Sequence, residues 1–417
     1  MLDAFWRDVV SRSPNTPAVF LAGSGESWTF AQLAAAADAS PAATRVAFPT
    51  GHGIVFLLDT LRAWKAHTPI CPLEPGQSPP AFPTPPPDIA LLKLTSGTTG
   101  SPRLIAFTAA QLAADARHIV DTMKLHPEQP NLGVISLAHS YGFSNLVTPL
   151  LLHGIPLVLA PSPLPAALLA AARSLPGFTL PAVPALWRTW IDADAIPKNL
   201  RLAISAGAPL PLPLEQHAFD RHHLKIHNFL GASECGGIAF DSSSIPRTDP
   251  ACVGSALHGV SVTTGPDGCL VIRSPAVASG YWPDADPRLA QGSYASADLA
   301  RILPDGSLRL TGRASDIINV AGRKVAPEPI EAALSTHPAV RDCLALAIAE
   351  PGGRGEAVGM IYALKQPVTE SELRAHLAHQ LPAWQLPRHW WLREDLRADD
   401  RGKRSRNAWR NLLSGEK

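Results

Sequence analysis

The chain predicts an α/β fold, with a large N-terminal domain of α/β subdomains, a small β-rich subdomain, and a small α+β C-terminal domain. Three observations carry this. Helical and strand-like patterns alternate over residues 28–73 and again over 104–240. Short strands separated by turn residues take over from Cys252 to Leu310, and a compact mixture of helix and strand resumes after Gly312-Arg313.

In order, Trp28 to Leu33 opens an alanine-rich helix, Arg45 to Phe48 reads as a strand, and Ile54 to Lys65 as a second helix. Gln77 to Pro87 is a proline cluster that can continue neither helix nor central strand, so it is a connector. Ile89 to Leu94 is a short apolar strand. The second series holds a helix over Ala109 to Met123 and strands at Leu132 to Ser136, Ile155 to Ala160 and Leu202 to Ile204. Gly265-Pro266-Asp267-Gly268 and Pro304-Asp305-Gly306 mark turns of the β-rich region. Beyond these come a helix over Pro329 to His337, strands over Leu344 to Ala349 and Val358 to Ala363, and a helix over Glu370 to Gln380. The domain boundary falls at about Arg313 to Asp316, dividing the chain into residues 1–313 and 314–417.

At 417 residues, with 46% hydrophobic and 17% charged residues, the chain is large enough for more than one core. A net charge of +1 and no basic run interleaved with aromatics argue against nucleic acid as a partner. The five cysteines, at 71, 235, 252, 269 and 343, lack zinc-site spacing and are expected as reduced thiols. The N-terminus MLDAFWRDVV carries acids and no long apolar core, and prolines and a histidine interrupt Leu146 to Leu180. A cytoplasmic protein with no membrane insertion is expected.

The densest chemical feature is LTSGTTGSPR, Leu94 to Arg103, directly after the apolar strand. Its glycines can turn backbone N–H groups toward an anion, its Thr and Ser hydroxyls can follow phosphate oxygens, and Arg103 supplies a permanent cation. No Gly-Lys-Ser/Thr closes it, so it is not a Walker A loop. Composition alone leaves two readings open, a polyphosphate-holding loop and a flexible surface loop.

The order TSGTTGSPR resembles the phosphate loop of the adenylate-forming superfamily, which includes acyl-CoA and aryl-CoA synthetases, aryl-acid ligases and nonribosomal adenylation domains. Five further segments resemble that superfamily's motifs in its order, and the resemblance covers nearly the whole chain. It implies the superfamily's fold, with a mobile C-terminal domain, and ATP and Mg²⁺ as cofactors. Thr95, Ser96, Gly97, Thr98, Thr99, Gly100 and Arg103 are implied to hold phosphates, with Arg103 standing where Lys is usual.

Ser136 to Phe143 resembles the His-containing motif at the acyl pocket. A histidine beside a tyrosine is, by itself, more often a core residue; the position implies that His139 acts at the pocket, with Ser140, Tyr141 and Phe143 lining it. Amino-acid-selecting members place an Asp here, and this chain has only Ser140, Tyr141 and Ser144, so an unpaired ammonium is disfavoured. Ser205 to Leu210 resembles the segment lying against adenine, implying nucleotide contacts at Gly207, Ala208 and Pro209 and a pocket contact at Ser205. Alone it reads equally as a strand-to-helix turn.

Asn228-Phe229-Leu230-Gly231-Ala232-Ser233-Glu234 resembles the aromatic-Gly-x-Thr-Glu motif. It implies nucleotide contacts at Asn228, Phe229, Leu230, Gly231 and Ser233, and Mg²⁺ at Glu234. Leu230 stands where an aromatic is usual. Gly231, Gly236 and Gly237 would complete the pocket. Tyr294 to Leu299 resembles the Thr-Gly-Asp-Leu motif, implying that Asp298 accepts the ribose hydroxyls and Arg313 assists, although Ala297 replaces Gly. Ser315 falls on the hinge, where Asp or Lys is usual. Gly402-Lys403-Arg404-Ser405-Arg406 resembles the C-terminal Gly-Lys-x-x-Arg motif; read alone it is a solvated basic tail, and in register it makes Lys403 catalytic beside Glu234 and His139.

The implied activity is a ligase that adenylates an aromatic carboxylic acid such as benzoate or 4-hydroxybenzoate. The short chain resembles stand-alone ligases of aryl-polyene and xanthomonadin-type pathways, which load hydroxybenzoate onto an acyl carrier protein. A ligase using free CoA and a non-catalytic nucleotide-binding relative stay open.

Overall fold

The computed structural model describes residues 1–40, 45–94, 103–350, 356–396 and 406–415. Among them, one large sheet has a parallel centre and antiparallel flanks. The strands Ile226–Ala232, Leu200–Ser205, Phe178–Ala182, Asn131–Gly133, Leu157–Leu159 and Pro17–Leu21 lie side by side in that order, all parallel. Parallel neighbours need covered crossovers, and Phe178–Ala182 is accordingly buried at every residue.

On the other side of Ile226–Ala232 the chain turns back sharply as Gly236–Phe240, and the sheet continues antiparallel through Cys252–Ala256, Ser307–Arg313, Ser293–Ile302, Cys269–Arg273 and Ser261–Thr264. This is the β-rich region expected from its turns. A separate small sheet joins Ile89–Leu94, Leu104–Thr108 and Gly280–Trp282. Helix Ala109–Met123 follows at once, started by a capping box between Thr108 and Gln111 and burying Leu112, Ala116 and Ile119.

Several elements depart from expectation. Trp28 and Thr29 end a strand, Glu26–Thr29, because Thr29 caps the helix through Gln32 and so fixes its start at Phe30. Residues 45–48 make only an isolated bridge, Ala47 to Ile70, rather than a strand. The strand expected to reach Ser136 stops at Gly133, and Ser136 folds back to accept the Ala138 N–H at 3.2 Å and donate to Glu74 at 2.8 Å.

The C-terminal segment pairs Val340–Ala349 with Glu356–Leu364 antiparallel, and His389–Leu392 alongside in parallel. Helices Pro327–Ser335 and Glu370–Ala378 cover it, and its core is distinct from those of the N-terminal region. The first of these helices begins before the expected Pro329, because Pro327 suits a first-turn position. No disulfide forms among the five cysteines. No helix among the described residues is long and apolar enough to cross a membrane.

Candidate active site

The phosphate-loop residues Thr95, Ser96, Gly97, Thr98, Thr99 and Gly100 lie outside the described residues, as does Lys403. The segment's two ends are well placed. Leu94 pairs with Leu104 across antiparallel strands, so the loop is delivered and recovered at one point. Arg103 stands there with its guanidinium 4.1 Å from the Tyr281 ring centroid and hydrogen bonds at 3.3 Å to Asp286 and to the Asp284 carbonyl. The Tyr281 hydroxyl donates to Glu234 Oε1 at 2.9 Å. One aromatic side chain therefore joins the loop's cation to the expected metal carboxylate.

Glu234 lies in the tight connection between Ile226–Ala232 and Gly236–Phe240, which ties it to its neighbours on both sides. Ser140 donates to Ser233 at 3.1 Å, bringing the pocket motif against the phosphate-contact motif over a long sequence interval. Gly236 has φ +71°, and a Cβ there would come within 2.0 Å of Asp115 Oδ1. The next amide, Gly237 N–H, donates to that same oxygen at 2.9 Å. These glycines thus let the hairpin approach helix Ala109–Met123, and their burial serves that packing.

The pocket motif folds into a short helical turn, Ser140–Gly142, running into a π-helical turn, Phe143–Val147. His139 caps it, with Nδ1 accepting from the Tyr141 N–H at 3.3 Å. Gly142 is required, because a Cβ would sit 1.9 Å from the Ser136 carbonyl oxygen. Tyr141 and Phe143 point into the core instead of an open space. The Tyr141 hydroxyl donates to the Ile204 and Ala182 carbonyls at 3.4 and 3.5 Å, its ring lies 6.1 Å from Phe229, and burial pushes its phenol well above the ordinary value. Phe143 is 1% exposed within the central cluster. Ser205 is fully buried at its strand's end, and its hydroxyl has no hydrogen-bond partner among the described residues.

Beyond Ser205 the backbone surfaces, with Gly207 at φ +86° and exposed and Ala208 half-buried before an exposed Pro209. The Leu210 carbonyl accepts from Arg247 at 2.7 Å, and Arg247 in turn pairs with the buried Glu215 at 2.8 Å. Along Ile226–Ala232, strand alternation leaves Leu230 half-buried while Phe229 is buried against Tyr141. Asn228 donates to the Cys252 carbonyl at 3.5 Å, and Gly231 pairs opposite Gly237. Asp298 and Arg313 face each other on paired strands, with Arg313 Nε 2.8 Å from Asp298 Oδ1.

Residues 46–282 match the AMP-binding enzyme family, and residues 329–403 match the AMP-binding enzyme C-terminal domain. The chain belongs to the AMP-binding enzyme family. It is an ATP-dependent, AMP-forming ligase that joins a carboxylate to a thiol, and its cofactors are ATP and Mg²⁺. A feruloyl-CoA synthase of Amycolatopsis sp is 27% identical over 334 residues, covering 74% of this chain and 67% of that protein. A salicyl-AMP ligase / salicyl-S-ArCP synthetase of Mycobacterium tuberculosis is 29% identical over 332 residues, covering 73% of this chain and 57% of that one. The crystal structure of ATP-bound MatB from Rhodopseudomonas palustris superposes with a TM-score of 0.86 at 19% identity over 99% of each chain, which establishes the shared fold.

Within this family fold, Ser315 occupies an exposed 3-10 turn, Ala314–Asp316, and its hydroxyl donates to Asp316 at 3.0 Å. Arg406, three residues past Lys403, donates to Asp316 at 2.7 Å and to Glu331 at 2.8 Å. The Ala314–Asp316 turn, where the hinge is expected, and the end of the Gly-Lys-x-x-Arg motif are thereby tied together. Glu234 fits Mg²⁺: one oxygen is taken by Tyr281, and the other accepts no hydrogen bond from the described residues. A single hard carboxylate suits an ion whose remaining ligands are phosphates and water.

Two residues that motif reading passed over belong to this neighbourhood. Tyr281 had a weak signal, an aromatic after Gly280 midway along the β-rich region. Lys93 had a clear one, a lysine inside an apolar strand. Its ammonium lies 4.5 Å from the Phe107 ring centroid; burial pushes its pKa down, and the nearby carboxylates of Asp115 and Glu234 oppose that shift.

Proposed function

We propose that the protein activates an aryl carboxylic acid, benzoate or a hydroxybenzoate, as its acyl-adenylate with release of pyrophosphate, then transfers the acyl group to the pantetheine thiol of an acyl carrier protein. The observation that carries the reading is the junction of Arg103, Tyr281 and Glu234 with Ser233 and Ser140. It gathers cation, carboxylate and hydroxyls from four separate sequence segments at the end of the phosphate-loop strands.

The chemistry explains why such groups must meet. A carboxylate attacking the α-phosphorus of ATP brings like charges together, at roughly 4 kcal/mol for a pair about 4 Å apart at an effective dielectric of 20. Arg103 and the Thr95 to Gly100 loop would hold the β- and γ-phosphates as pyrophosphate departs. Ser233 would hold the α-phosphate, Asp298 and Arg313 the ribose, and Gly207 to Pro209 the adenine. Mg²⁺ held by Glu234 would supply charge neutralisation on the phosphates. Lys403 would bridge the substrate carboxylate and ribose-side oxygens in the first half-reaction. Rotation about Ser315 would then withdraw Lys403 and present the Gly322 turn for the second.

The aryl preference is supported by the relatives named for feruloyl and salicyl substrates and by the absence of an acid among Ser140, Tyr141 and Ser144. Carrier protein as the acceptor is supported by the salicyl-S-ArCP synthetase relative; the feruloyl-CoA synthase relative supports the alternative acceptor, free CoA. Acid-dependent ATP–pyrophosphate exchange across a panel of aryl, aliphatic and amino acids tests the first half-reaction. Mass measurement after offering holo carrier protein and CoA separately tests the second. Exchange with no acid in the panel, or with amino acids alone, would reject the reading.

A further inference from the structure

Arg288 stands between the end of the phosphate-loop segment and the strand expected to hold the ribose. Its carbonyl accepts the Ala295 N–H at 2.8 Å, and the next residue, Leu289, pairs opposite Tyr294 on Ser293–Ile302, the strand that carries Asp298. Its side chain reaches toward Arg103. Arg288 Nη2 donates to Asp286 Oδ2 at 2.8 Å and Nε to Oδ1 at 3.2 Å, while Arg103 Nη1 donates to that same Oδ2 at 3.3 Å. One carboxylate, 13% exposed, therefore holds two guanidinium groups beside each other.

Stability does not account for this arrangement, because Arg288 is 58% exposed and ion pairs at such positions contribute little to folding. Charge balance does. Without Arg288, the side chains linked through Tyr281 and Arg103 place two carboxylates, Glu234 and Asp286, against a single guanidinium. That excess of negative charge would repel a polyphosphate, and Arg288 cancels it. The hydrogen bonds of Arg288, and with them that of Arg103, hold the Asp286 carboxyl well below the ordinary carboxylate range, so it stays ionised and keeps both cations in place. Both arginine charges also act on the Tyr281 phenol, the group that binds Glu234, against the upward push of burial and Glu234. Arg288 Nη1 has no acceptor among the described residues, which leaves donors of a planar fork for phosphate oxygens.

We propose that Arg288 is a second phosphate-binding cation of the active site, contacting the β- and γ-phosphates of ATP and the departing pyrophosphate beside Arg103, with Asp286 positioning both guanidinium groups. The proposal rests on the reading of Arg103 as a holder of those phosphates. As the substrate carboxylate oxygen bonds to the α-phosphorus, the bond to the bridging oxygen breaks and its electron pair leaves on pyrophosphate. Negative charge thus grows on the group that the two cations hold.

The test uses the full-length enzyme carrying Arg288→Gln, Arg288→Lys or Arg103→Gln, each checked for an unchanged melting temperature. The pyrophosphate KM in acid-dependent exchange is measured, and ATP and AMP are titrated separately. Arg288→Gln is expected to raise the pyrophosphate KM and the ATP Kd roughly 10-fold or more, while AMP, which lacks the β- and γ-phosphates, stays within about 2-fold. Arg288→Lys keeps the charge but loses the fork, so it should fall between. Added salt should raise the pyrophosphate KM more steeply in the wild type than in Arg288→Gln. An unmoved pyrophosphate KM in Arg288→Gln, or ATP and AMP weakened equally, overturns the assignment of Arg288 alone when Arg103→Gln still shows its rise. No rise in Arg103→Gln overturns the phosphate reading of Arg103 and takes Arg288 with it. The titrations need no substrate acid, so a failure of the aryl-acid reading leaves this test standing.

Discussion

Tyr281 donates its hydroxyl to Glu234 at 2.9 Å while its ring supports the Arg103 guanidinium at 4.1 Å. Burial and the Glu234 charge both push its phenol above the ordinary value, so it stays a donor across the working pH range. Tyr281→Phe removes only the hydroxyl. A hydrogen bond to a charged group contributes about 1.5–3 kcal/mol, so exchange should fall roughly 10-fold or more, with a higher Mg²⁺ requirement. Tyr281→Leu should lose more, since Arg103 also loses its platform. Wild-type exchange and Mg²⁺ dependence in Tyr281→Phe would remove the residue from the site.

Lys403→Ala should abolish acid-dependent exchange yet largely spare thioester formation from preformed acyl-adenylate. Adenylation needs a cation where two anions meet, whereas attack of a thiol on a mixed anhydride does not. Equal loss of both half-reactions would refute the division of labour.

Asp298→Ala should weaken ATP binding by about 1.5–3 kcal/mol, or roughly ten- to a hundred-fold in Kd, with kcat at saturation affected less. Its carboxylate is held 2.8 Å from Arg313, so both proposed ribose contacts lose their geometry together. Isothermal titration with ATP measures this, and an unchanged affinity would end the ribose assignment.

Glu215 is fully buried and accepts from both Lys225 and Arg247. Glu215→Ala leaves the buried Arg247 without its carboxylate and Lys225 with Asp241 alone, at 2.6 Å, a loss of about 3–5 kcal/mol in denaturant unfolding. Arg247 also holds the Leu210 carbonyl, so ATP affinity should fall in parallel. A loss below about 1 kcal/mol would show that the cluster tolerates its charges.

Stability should decline on mild acidification. Burial pushes the pKa values of His52 and His227 down, outweighing the opposite effect of their hydrogen bonds to the Gly133 and Asp241 carbonyls. The unfolded chain therefore binds protons that the native state resists, so stability is present above the ordinary histidine range and lost as pH falls through it. The melting temperature should be lower at pH 5.5 than at pH 7.5, with a smaller difference in His227→Gln. An equal or higher value at pH 5.5 would contradict this.

Local pattern and motif order in the sequence already determined much of this protein. Helix Ala109–Met123 and strand Ile89–Leu94 were legible to the residue, because a Thr-x-x-Gln cap and an apolar run are local signals. The order of motifs from Leu94 to Lys403 was enough to indicate the family. Only the tertiary structure decided which motif residues face one another and which face the core. Tyr141 and Phe143 sit in a pocket motif, yet packing turns both inward, and no spacing rule carries that direction. Tyr281 reaches Glu234 because Gly280–Trp282 pairs with the phosphate-loop strand Leu104–Thr108, a contact between segments far apart in the chain. Such pairings depend on how separately formed elements bury their apolar faces together, and that information lies in the packed core rather than in any one stretch of sequence.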